Sequence, residues 1–199
     1  MKVPSLETSS AEYEAVTEAC GLVDRSERGK LALTGADKQS FLQGQVSNDI
    51  EALTPGTGCY AAFLTPKGKM LGDLRVLDTT DELLLDTERV ALQELFNMIR
   101  RFSLGYDVQL HKRTLESGLL SLIGPQSEAV SGVSELAPVE HSHVLTEVGG
   151  IGARAIRTDL GIDLVRAGAA DRVRAHAHER AAREPVSYTH LTLPTNREV

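Results

Sequence analysis

The chain has 199 residues, 41% hydrophobic and 25% charged, which places it among ordinary globular proteins able to bury a core without disulfide staples. Its 21 basic and 28 acidic residues give a net charge of −7 with the basic residues scattered, which excludes general nucleic-acid binding. Cys20 and Cys59 lie far apart without a C-x-x-C spacing, and no run approaches the roughly 18 apolar residues of a membrane span, so the expectation is a cytoplasmic protein without a zinc knuckle or membrane anchor.

Ser9 followed by Glu12 makes a capping box, and Ala11 to Cys20 predicts a first helix stopped at Gly21. Lys30 to Thr34 alternates as a strand, and Gly35-Ala36-Asp37 then opens a helix that carries Phe41 and Leu42 toward a core. After the breaker cluster Thr54 to Gly58, Tyr60 to Leu64 and Met70 to Leu77 read as a hairpin joined through Thr65 to Lys69. A third strand, Glu82 to Asp86, leads into an amphipathic helix over Glu88 to Phe102. Strand-like stretches follow at Asp107 to Leu110, Leu119 to Ile123, His143 to Val148 and Arg154 to Val165, with a helix over Gln126 to Leu136. Leu31 to Asp37 and Leu120 to Gln126 share a strand, a glycine and a helix start, a hint of two similar units. The fold class is α+β, with mixed or antiparallel sheets and helices packed on one side. Ala169 to Glu184 reads as an exposed helix, and residues 187–199 break character in the manner of a non-native tail.

Several motifs point nowhere in particular. Gly56-Thr57-Gly58 lacks the third glycine and following helix of a dinucleotide site, and Gly149-Gly150-Ile151-Gly152 suits a hairpin connection. His141 and His143 would share one strand face, but with no third ligand nearby they read as surface histidines, so no metal is assigned. Within Met70 to Leu77, alternation puts Asp73 and Arg75 on the face of Leu71 and Leu77. A carboxylate there is paired, hydrogen-bonded or in use, and the spacing alone favours an exposed Asp73–Arg75 ion pair over a functional acid.

Phe41-Leu42-Gln43-Gly44-Gln45-Val46-Ser47-Asn48-Asp49, the turn Leu64 to Lys69, and Tyr60 followed by Asp73 together resemble the folate-binding aminomethyltransferase superfamily, which includes the glycine-cleavage T-protein and YgfZ-type proteins. The resemblance covers roughly Ala11 to Arg166 and is nearer the YgfZ-type branch in Leu64-Thr65-Pro66-Lys67-Gly68-Lys69. It implies the N-terminal part of a T-protein-like folate-binding fold, as a domain over residues 1–186 incomplete at its carboxyl end. It also implies a tetrahydrofolate pocket with Asp73 as the catalytic acid, because a fixed carboxylate stabilises positive charge developing near the reactive nitrogens. Tyr60 matches an aromatic position lining that pocket. Asp86 stands in the place of a family asparagine, and Asp159, within Arg157 to Asp163, falls where the family has a pterin-binding acid. The implied partners are folate and either a lipoyl carrier protein or an iron–sulfur protein. The leading expectation is a YgfZ-type tetrahydrofolate-binding protein linked to iron–sulfur protein maintenance or tRNA modification. The alternatives are an aminomethyltransferase of the glycine cleavage system and a truncated interaction module without ligand competence.

Overall fold

The computed structural model describes residues 13–148 and 150–167 and the backbone of 190–191. The Ser9–Glu12 capping box, the helix expected over Ala169 to Glu184, and all of the 187–199 tail except 190–191 lie outside the described residues.

A short helix α1 (residues 13–18) precedes strands β1 (Gly21–Asp24) and β2 (Gly29–Thr34). Helix α2 (Lys38–Gln43) buries Phe41 and Leu42, as their spacing predicts. Strands β3 (Gly58–Leu64), β4 (Met70–Asp78) and β5 (Leu83–Thr87) form an antiparallel meander, followed by helix α3 (Leu92–Phe102) and strand β6 (Gln109–Lys112). The second half runs through β7 (Ser117–Ile123), α4 (Ser127–Ser131), β8 (His143–Val148), β9 (Ile151–Arg157) and β10 (Gly161–Ala167). A two-residue strand β11 (His190–Leu191) pairs in parallel with β1.

Three expectations need correction. Gly21 does not end the first helix but begins β1, which the sequence reading missed. The single strand expected over Arg154 to Val165 is two strands joined by a tight turn, in which the Thr158 N–H donates to the Gly161 carbonyl at 2.9 Å. The helix expected over Gln126 to Leu136 ends after Ser131, because Gly132 takes a left-handed conformation with φ of 67°.

The strands make two sheets, in the orders β3-β4-β5-β2-β6 and β11-β1-β7-β10-β9-β8. Reading β7, β8, β9 and β10 for β2, β3, β4 and β5, and β1 for β6, turns one order into the other, so the hinted repeat is present. Its marker is a pair of glycines. Gly35 after β2 and Gly124 after β7 have φ of 110° and 120°. A Cβ on Gly35 would stand 2.0 Å from the Asp107 carbonyl oxygen, and one on Gly124 2.6 Å from that of Ala19. The same turn is tied the same way twice: the Asp37 N–H donates to the Asp107 carbonyl, and the Gln126 N–H to that of Ala19.

Each sheet carries helices on one face. Leu31, Leu33, Leu74, Val76 and Leu85 meet Phe41, Leu95 and Ile99 on the outer face of the first sheet. On the second, Leu120, Leu122, Ile162 and Leu164 meet Val130 and Val133. Strand alternation turns the opposite faces toward each other, with Leu77 and Ile156 buried between them. Burial of both apolar faces supplies most of the stabilisation, about 25 cal/mol per Å².

Candidate functional site

Across the inner face of the first sheet, register sets Tyr60 beside Arg75 and Arg75 beside Asp86. Asp73, two residues before Arg75, shares that face. These side chains open onto a cavity of about 540 Å³ that reaches across to Ser121 and Asp163 of the second sheet, to Asp159 in the turn between β9 and β10, and to His141. Tyr60, Asp73, Asp86 and Asp159, the four residues singled out from sequence, therefore line one cavity.

Charge organises its floor. Arg75, only 6% exposed, donates to Asp86 on β5 and Asp163 on β10, each at 2.8 Å. Asp86 also accepts from Arg28 at 2.8 Å, Arg28 in turn meets Glu88, and Ser121 donates to Asp163 at 2.6 Å. The exposed Asp73–Arg75 pair weighed from spacing is thus absent: Arg75 turns to buried carboxylates on two other strands. Such a chain of alternating charges joins the two sheets, because each buried ion requires its partner. Both Asp86 oxygens are engaged by arginines, so Asp86 faces the cavity as part of this ionic floor.

Asp73 and Asp159 have no cationic group within 4 Å among the described residues. Asp73 is half-buried, and its backbone carbonyl accepts from the Thr87 hydroxyl at 2.6 Å. Asp159 is exposed at the rim, in the turn between β9 and β10. Tyr60 is 52% exposed, leaving ring surface for a ligand. Burial, then hydrogen bonding to Asp73 and the charge of that carboxylate, push the Tyr60 phenol up to about 12, so it stays a proton donor at neutral pH.

The Phe41 to Asp49 motif acts on this site through Tyr60. Asn48 donates through its side-chain amide to the Tyr60 carbonyl at 2.8 Å, and the Ala62 N–H donates to the Ser47 hydroxyl at 2.9 Å, fixing β3 from its free edge. Asp49 caps the next turn through the Ala52 N–H, as its turn chemistry suggests.

His141 was missed. It holds a left-handed φ of 64° and its ring stacks over Tyr60 with centroids 6.4 Å apart. Burial lowers its pKa, and its buried Nδ1 has no hydrogen-bond partner. His143 is only 6% exposed and meets Arg154 on β9. The reading of both as surface histidines is therefore wrong, because the start of β8 packs on the first sheet, where the His143 N–H donates to the Gly56 carbonyl at 2.9 Å. Among the described residues no group of three His, Cys, Asp or Glu side chains gathers to hold a metal ion.

Residues 4–159 match the GCVT N-terminal domain. The chain belongs to this family. Relatives include the aminomethyltransferases of Bacillus subtilis (strain 168), 34% identical, and of Chloroherpeton thalassium (strain ATCC 35110 / GB-78), 32% identical, each over 120 residues. Both alignments cover 60% of this chain and 33% of the relative, so the chain spans about a third of the curated relatives it matches. Among solved structures, the glycine cleavage system aminomethyltransferase T from Bartonella henselae aligns with a TM-score of 0.74 at 21% identity, over 90% of this chain and 50% of that one. A chain of the heterotetrameric sarcosine oxidase from Corynebacterium sp. U-96 aligns with a TM-score of 0.63 at 17% identity, over 96% and 99%. These likenesses establish the expected α+β fold of the family's N-terminal domain. The relatives' names side with the aminomethyltransferase alternative and lend nothing to the YgfZ-type, iron–sulfur expectation. Among the described residues no helix is long and apolar enough to cross a membrane.

Proposed function

We propose that this chain is the folate-binding N-terminal part of an aminomethyltransferase, and that the cavity between its sheets takes the pterin end of tetrahydrofolate. The observation that carries the reading is the convergence of Tyr60, Asp73, Asp86 and Asp159, from four separate segments, on one cavity. A volume of about 540 Å³ lies within the range of small-molecule sites, roughly 300 to 1,000 Å³. The available side chains also suit the ligand. A reduced pterin presents N–H donors along one edge, and Asp73 and Asp159 are acceptors that no described cation occupies.

Bound tetrahydrofolate supplies the nitrogen that receives a one-carbon unit. Asp73 holds negative charge beside the reacting nitrogens, where a partly dry site makes a fixed carboxylate more effective than water. Tyr60 offers a ring for stacking and a hydroxyl that stays protonated. Asp86 binds through the arginines it holds in place, and Asp159 accepts from the ligand at the rim. The one-carbon donor on this reading is an aminomethyl group on a lipoyl carrier protein.

Titration of tetrahydrofolate into this chain, as wild type and Asp73→Asn, tests the reading. Ligand at 100 times its dissociation constant should stabilise wild type by about 2.7 kcal/mol. The Asp73→Asn protein should keep its circular dichroism spectrum while binding at least tenfold more weakly, or losing methylene transfer from an aminomethyl-lipoyl carrier protein. No thermal shift in the wild-type chain would leave the interaction-module alternative standing; equal binding and transfer by the variant would remove Asp73 from the chemistry.

A further inference from the structure

The repeat relates two cavities, one at each end of the interface between the sheets. The second, about 680 Å³, is lined by Leu84, Leu145, Ala153, Arg154 and Val165 together with rim residues. Aligning Gly35 with Gly124 places Arg154 where Arg75 stands, since Arg75 lies beside Asp86 across β4 and β5 and Arg154 beside Val165 across β9 and β10. Val165 then occupies the place of Asp86, and Leu84 that of Asp163. Both carboxylates that hold Arg75 are hydrocarbon around Arg154.

Arg154 consequently lacks a counter-ion: among the described residues no carboxylate lies within 4 Å of its guanidinium. Its hydrogen bond is to the Nδ1 of His143 at 2.8 Å, an imidazole kept neutral because burial, then the Arg154 charge, depress its pKa to about 4. Burial lowers the pKa of Arg154 itself, and the opposing attraction comes from Glu82, whose carboxylate is already 3.4 Å from Arg113. A guanidinium partly removed from water without an anion is an incomplete ion pair, and its planar fork matches a carboxylate.

We propose that this second cavity binds a small monocarboxylate with an apolar body, the carboxylate pairing with Arg154 and the body lying against Leu84, Leu145 and Val165. At the margins Glu82 and Glu116 already share Arg113, the one other lining cation among the described residues, and Glu147 adds a further negative charge, so a second anionic group finds no partner there and a monoanion is favoured over phosphate or a dicarboxylate. The proposal uses a different cavity from the folate reading and stands or falls without it.

The test is calorimetric titration of the full chain with hexanoate, with hexanol as the uncharged match. Saturable binding of hexanoate, at least tenfold tighter than hexanol, is expected. Arg154→Met should lose it at least tenfold. Leu84→Asp, which supplies an internal carboxylate where Asp163 stands in the first cavity, should lose it as well, and Asp73→Asn should not. If Arg154→Met fails to fold, Leu84→Asp decides. Equal affinity for hexanoate and hexanol, undiminished binding in the folded variants, or no saturable binding to wild type would each overturn the proposal.

Discussion

On β4, Arg75 is clamped between Asp86 and Asp163; in the equivalent place on β9, Arg154 leans on a neutral histidine and faces Leu84 and Val165. The backbone plan is shared, so the difference lies in two side-chain positions. One cavity comes with its cation already neutralised and presents spare carboxylates. Its twin presents an unneutralised cation. A repeated scaffold can therefore hold opposite preferences at its two ends without any change of strand order.

The sharpest way to break the comparison is Arg75→Ala, which takes from buried Asp163 its only cation among the described residues and from Asp86 one of two, and should destabilise the fold by about 3–5 kcal/mol in urea unfolding. The triple variant Arg75→Met, Asp86→Val, Asp163→Leu removes Arg75 together with both its carboxylates and should recover part of that loss, Arg28 keeping Glu88 as its counter-ion. Gly124→Ala tests the shared turn: its Cβ would meet the Ala19 carbonyl at a φ of 120°, and a loss of about 2–3 kcal/mol is expected by the same measurement. A pH series probes the second cavity. His143 titrates at about 4 in the fold and near its ordinary 6.5 when unfolded, so the unfolded chain binds more protons between those values. Its contribution is complete above pH 6.5 and lost as pH falls through about 4, amounting to about 2 kcal/mol between pH 8 and pH 5. His143→Gln should flatten that slope. The smallest effect on stability belongs to Asp73→Asn, under about 0.5 kcal/mol, because the half-buried carboxylate holds no cation.

Much of this architecture is legible from local pattern. Alternation in Met70 to Leu77 places Asp73 and Arg75 on one face, and the paired glycines at 35 and 124 announce two units. What escapes is non-local. The partners of Arg75 lie 11 and 88 positions away on other strands, and nothing near Arg75 names them. β1 is four residues long and begins at a glycine that serves equally well as a helix stop. The turn at Thr158 to Leu160 hides between two runs of strand-forming residues, which merges β9 with β10. His143 passes for a surface residue because what covers it, the Gly56 backbone and Arg154, lies far away in sequence or on another strand.

Strand β1 has one more consequence. It precedes every strand of the first sheet yet lies against β7, about a hundred positions downstream, with the whole first sheet threaded between them. The halves are thus interlaced: a break between β6 and β7 severs no hydrogen-bonded ladder, but it strands a piece of the later half on the earlier one. The later fragment lacks a strand of its own sheet, and the segment that completes that sheet must wait during synthesis until β7 emerges. Ordering of the molecule accordingly becomes an event of the assembled pair, slowed by that long closure, and swaps of one half between relatives succeed when the first strand travels with the second half.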